Sequence, residues 1–175
     1  MRIWTIGHST RAVDDFTSLL EENEITRLAD VRAWPGSKRH PQFNKDALAQ
    51  SLSAHGIRYE HFPELGGKRK PKPDSHNTAW RNDSFRGYAD YMGTTQFEAG
   101  IDRLLGMADG GGRTVIMCAE AVWWRCHRSL IADYLKARGV DVRHVLGANK
   151  VDPHPYTSAA RILDGRLSYG SESLF

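Results

Sequence analysis

TVIMCAEAVWWRCHRSLIADYLKARG, residues 114–139, reads as a strand, a connection and a helix in that order. TVIMC is an apolar run without alternation, as expected of a central parallel strand covered on both faces. Leu130, Ile131, Tyr134 and Leu135 then recur at helical spacing, and Gly139 ends the helix. The connection gathers two thiols (Cys118, Cys126), Glu120, His127, Arg125 and Arg128 around Trp123 and Trp124. In open α/β sheets ligands bind beyond the carboxyl ends of the strands. A strand ending in Cys118 therefore delivers this polar stretch to the edge where a site belongs.

Working outward, residues 2–7, 26–31, 57–62 and 140–146 read as four more strands. Val13, Phe16, Leu19 and Leu20 mark one helix face, and Asp14 and Asp15 sit in its first turn, where the dipole favours them. Asn44 is placed to cap a second helix that Gly56 closes. Residues 85–92 suggest a short helix. Thr95-Gln96-Phe97-Glu98 reads as the capping box of a longer one, ended by Gly110, Gly111 and Gly112. Strand and helix in alternation predict an α/β chain: one Rossmann-like domain over 1–175, with a mostly parallel five-stranded sheet flanked by helices. The core is expected within 1–146, with an irregular tail at 147–175. Residues 64–84 are polar, rich in Lys and Pro, and without period, which predicts an irregular lid beside the pocket.

The 175 residues suit one domain, and 40% hydrophobic with 26% charged residues excludes disorder, collagen and coiled coil. No apolar run approaches the roughly 18 residues of a membrane span, so no membrane partner is expected. The opening MRIWTIGHSTRAVDDF lacks a signal-peptide core, which points to the cytoplasm. Two cysteines are too few for a disulfide framework, so both are expected as free thiols. The net charge of +3 is mild. Lys68, Arg69, Lys70 and Lys72 nevertheless form a basic cluster, read first as a solvated loop.

Cys118 reads either as a small core residue or as a thiolate nucleophile, its ionisation aided by the following helix N-terminus and the nearby arginines. Thiolate phosphatases and rhodaneses space Cys and Arg with five residues between; six separate Cys118 from Arg125. Helical spacing puts Cys126 over Leu130 and assigns it to packing. Glu120 and His127 are the candidate general acid and base. Asp30 and Arg32 alternate with Val31 and so share one side of a strand end. His8 and Ser9 follow another strand. Gly66 and Gly67 allow a positive-φ turn or close approach to a ligand. A metal held by Cys118, Cys126 and His127 is the weaker alternative, because no Cys-x-x-Cys or His-Glu-x-x-His is present.

TIGHS (5–9), DVRAWPGSKRHPQF (30–43), Leu65-Gly66-Gly67, CAEAVWWRCHRSLIADYLKARGVDVRHV (118–145) and the tail HPYTSAARILDGRLSYG (154–170) resemble the DUF488 family. The resemblance implies a Rossmann-like α/β domain and brings no reaction or cofactor with it. The chain departs from the common family pattern at Ala121, Val122, Trp123 and Trp124, where a more polar Asp-Pro turn is usual.

The expectation is a small enzyme acting on an anionic substrate, a nucleotide or a nucleic-acid base. Glu120, His127, Cys118 and Asp30 would form the catalytic group; His8, Ser9, Arg32, Gly66, Gly67 and Arg128 would hold the substrate. A non-catalytic nucleic-acid module is the alternative, and its binding would depend steeply on salt.

Overall fold

The computed structural model describes residues 1–170 and 174–175. TVIMC forms strand β4 (Thr114–Cys118), buried at every position. Around it the chain runs β1 (Arg2–Gly7), α1 (Val13–Glu22), β2 (Arg27–Asp30), α2 (Lys45–Ala54) and β3 (Arg58–His61). α3 (Asp83–Tyr91) and α4 (Thr95–Asp109) precede β4, and α5 (Arg128–Ala137) and β5 (Asp141–Gly147) follow it. The sheet order is β3-β2-β4-β1-β5-β6, where β6 is Lys150–Pro153. The five expected strands are mutually parallel, and β6 adds an antiparallel sixth on β5.

Side chains alternate across the sheet, as the two-residue period of a strand requires. Trp4, Ile6, Leu28, Val115 and Met117 face α1 and α2, packing on Phe16, Leu20, Leu48 and Leu52. Ile3, Ala29, Ile116 and Cys118 face the opposite way, among Phe97, Ile101, Leu130, Ile131 and Tyr88 of α3, α4 and α5. The Cys118 thiol therefore lies on the α5 side because it is even-numbered with Ile116. Among the described residues, no helix is long and apolar enough to cross a membrane.

Three expectations are corrected. The tail was expected to be irregular. It carries β6 and a hairpin of β7 (Arg161–Leu163) and β8 (Arg166–Ser168), and places buried Leu167 and Tyr169 in the α5-side core. Residues 171–173 of that tail lie outside the described residues. α4 is capped by Thr94, whose hydroxyl accepts from Phe97 N–H, and not by Thr95. Asn44 does stand at the N-cap of α2, but its side chain accepts from Ser37 N–H instead of the helix. Of the stretch 64–84 expected to be irregular, residues 66–82 contain no helix or strand, while 64 and 65 close a 3-10 turn (Pro63–Leu65) and 83 and 84 open α3.

Candidate active site

The chain leaves β1 toward β2 on one side and leaves β4 toward β5 on the other, so the topological switch lies between β1 and β4. Their carboxyl ends pair in register, Gly7 against Cys118. The backbone of Glu120 crosses directly over Gly7, where a Cβ would collide with the Glu120 carbonyl. That close approach fills the switch crevice itself. The open space lies next to it, over the ends of β2 and β4: a cavity of about 430 Å³. This is the size of a small-molecule site, roughly 300–1,000 Å³.

Cys118, Cys126 and His127 line this cavity. The thiols are 2% and 7% exposed, free, and 2.7 Å apart at sulfur. His127 Nε2 lies 2.9 Å from the carbonyl of Val31, which can only accept, so Nε2 carries a proton. Nδ1 is thereby turned to Cys126 Sγ at 3.5 Å as the group that can take its proton. The backbone N–H of Arg128 also donates to Cys126 Sγ, at the start of α5. Burial works against ionising Cys126, but the Cys118 S–H, His127 and Arg128 outweigh it and hold this thiol well below its ordinary range. Burial and the adjacent Cys126 sulfur push Cys118 in the opposite direction. These directions make Cys126 the more acidic thiol of the pair, with Cys118 as the partner that donates to it. A nucleophile, a base beside it and a third group orienting the base make up the arrangement of covalent catalysis.

The cavity rim is basic and aromatic. Arg32 and the exposed Arg125 and Lys68 line it with Trp34, Phe85 and Tyr88. Arg32 is held by Asp30 through Nε (2.9 Å) and Nη2 (2.8 Å), and Nη2 also donates to the Phe43 carbonyl (2.7 Å). Its Nη1 lies 3.3 Å from His8 Nε2. His8 Nδ1 donates to the Ser9 carbonyl, so Nε2 is the free acceptor and the ring is neutral. Burial, with Arg32 nearby, lowers its pKa to about 4. Asp30 also accepts from Tyr59 OH. One Nη1 hydrogen of Arg32 is left for the cavity. Lys68, not Gly66 or Gly67, has the positive φ of 62°, and its ammonium lies 4.8 Å over the Trp34 ring. Gly67 serves close approach instead: a Cβ there would stand 3.0 Å from His127 Nδ1.

The expected site residues therefore divide. Cys118, Glu120, His127, Arg32 and Gly67 line the cavity. Asp30 and His8 sit behind Arg32 and orient it, and Gly66 packs its backbone on Ala33. Ser9 is not in the lining; its N–H bonds the Ala119 carbonyl beneath the loop. Arg128, 1% exposed, also stands behind the wall and binds the Glu120 carbonyl through Nη2 at 2.8 Å. Trp123 stacks on His144, and Trp124 is exposed away from the cavity. The lining also includes Arg125, Trp34 and Cys126, which were not assigned to it from sequence. Among the described residues, no group of three or more Cys, His, Asp or Glu side chains is arranged to hold a metal ion.

Behind the wall a buried relay crosses β1, β5 and the tail. Arg128 Nη1 donates to Thr5 Oγ1 (3.3 Å), and Thr5 Oγ1 meets His144 Nδ1 (2.6 Å). His144 Nε2 meets His154 Nδ1 (2.8 Å), and His154 Nε2 meets Asp133 Oδ1 (2.8 Å). A carboxylate only accepts, so His154 Nε2 carries the proton toward Asp133, and in the neutral form of His154 the remaining protons point the same way from Arg128. His144 is neutral: burial first, then His154 and Arg128, lower its pKa to about 2.

A family model described as a domain of unknown function, DUF488, matches residues 12–135. The match takes in the β2, β4 and α5 parts of the cavity, and excludes TIGHS (5–9) and the tail. No curated protein and no solved structure matches the chain.

Proposed function

The chain belongs to the DUF488 family, whose description carries no activity, and on that premise we propose that it is a thiol-dependent enzyme acting on a small anionic substrate. The observation that carries the reading is the Cys126–His127 pair, its tautomer set by the Val31 carbonyl, on the floor of a basic cavity. Cys126 is the nucleophile and His127 Nδ1 the proton acceptor; Cys118 takes the supporting place that sequence spacing had given to Cys126. The free hydrogen of Arg32 and the guanidinium of Arg125 meet the anionic part. Glu120, exposed at the cavity mouth, is placed to exchange protons with a leaving group.

A nucleotide or a nucleic-acid base is the substrate class that suits these walls. Trp34, Phe85 and Tyr88 line the cavity beside the cations, and base stacking on an aromatic contributes roughly 1–3 kcal/mol. The test is a titration of tryptophan fluorescence with nucleoside monophosphates and with short single-stranded oligonucleotides, with intact-mass detection of adducts. Saturable binding weakened about tenfold or more by Arg125→Ala, with an adduct that Cys126→Ser abolishes, supports the reading. Oligonucleotide binding that falls steeply with salt and leaves no adduct or turnover supports the non-catalytic module instead. No binding of either class sinks both.

A further inference from the structure

We propose that Cys118 and Cys126 act as a two-electron dithiol centre, reducing a small anionic disulfide bound in the cavity and closing to an internal disulfide. The inference rests on the reading of Cys126 as a thiolate and adds a second, resolving role for Cys118. Three features carry it. The two sulfurs are 2.7 Å apart, against about 2.05 Å for an S–S bond, so joining them needs motion of less than an ångström. Both thiols face the cavity, so an incoming sulfur reaches Cys126 without opening the core. The two cysteines also have opposite proton states, a thiolate beside a thiol, as an attacking and a resolving sulfur require.

The steps balance. The Cys126 thiolate attacks one sulfur of R–S–S–R′, the S–S bond breaks, and RS⁻ leaves past Arg32 and Arg125. Cys126 now bears SR′ and no charge. Burial still disfavours a Cys118 thiolate, but the opposing charge on Cys126 is gone and Arg128 still favours it. Cys118 attacks the Cys126 sulfur, and R′S⁻ leaves with the proton that Cys118 gives up. Dithiol (one thiol, one thiolate) plus R–S–S–R′ gives protein disulfide, RS⁻ and R′SH. Two equivalents of a small thiol, or one dithiol, reset the pair and leave as the corresponding disulfide. The closed ring spans residues 118–126, so oxidation also pins the loop that carries Glu120 and Arg125.

The probe is oxidised glutathione, a small anionic disulfide. Reduced full-length protein is mixed with it, quenched in acid, alkylated and weighed. The expected product is protein lighter by two hydrogens with both cysteines protected, reached through a transient glutathione adduct. Cys118→Ser should hold that adduct on Cys126, and Cys126→Ser should react at least about tenfold more slowly at Cys118. A stable adduct on wild-type Cys126 with no internal disulfide overturns the resolving role and leaves the thiolate reading standing. No reaction at either cysteine overturns both. The wild-type mass alone decides between these results if either variant fails to fold.

Discussion

His127 has its protons placed by neighbours on both sides: the Val31 carbonyl takes Nε2–H, and Nδ1 is left for Cys126. Removing the ring removes the proton acceptor of the thiol. His127→Ala should slow iodoacetamide alkylation of Cys126 at pH 7 by about tenfold or more, one pKa unit of thiolate being a factor of ten. Gly67→Ala should act in the same direction by pressing on Nδ1. Unchanged alkylation in both variants would mean that Cys126 owes its ionisation to other groups. Sequence named His127 and Cys118 as cavity residues and assigned Cys126 to packing; Cys126 is buried in the α5-side core as expected and also lines the cavity, because α5 starts at Arg128 and Cys126 lies in the turn before it. Trp34 was missed because exposed loop residues carry no periodic signal, and Arg125 was weighed only as a partner for the Cys118 thiolate. The Val31 carbonyl was missed because backbone groups have no letter.

At the scale of elements, faces were legible and ends were not. The apolar run of β4 named the central strand, and Phe16, Leu19 and Leu20 named the inner face of α1, because burial repeats every turn. A cap depends on one residue's backbone angles, and neighbouring Thr94 and Thr95 read alike. The structure separates them. Thr94→Ala should lower stability by about 1 kcal/mol, and Thr95→Ala by less than about 0.5 kcal/mol, read from urea midpoints. Equal losses would show that the Thr94 hydroxyl does not cap the helix. The tail escaped sequence reading for another reason. Its strands are three or four residues long, too short for two-residue alternation to show, and β6 is mostly exposed.

Across the whole molecule, two neutral histidines tie stability to pH. His8 and His144 both have folded pKa values below the ordinary 6.5, at about 4 and about 2. The unfolded chain therefore binds more protons than the folded one as pH drops below about 6.5. Their contribution is complete above that value and is lost on acidification, until each folded pKa is passed. Urea midpoints should fall between pH 7 and pH 4, with a slope of up to about 1.4 kcal/mol per pH unit for each histidine. His8→Phe should flatten part of the slope; a wild-type curve flat across this range would contradict the neutral assignments. The relay containing His144 has a further consequence, which concerns order in time. Among the described residues, His154, Thr157 and Tyr169 are the three that bond the Asp133 carboxylate, and all are translated after every residue of the cavity. A ribosome that had reached only residue 150 would have made the whole cavity wall while Asp133 still needed water. Docking α5 there would strand a bare carboxylate in the core, so water must stay beneath that helix until the later segment arrives to replace it.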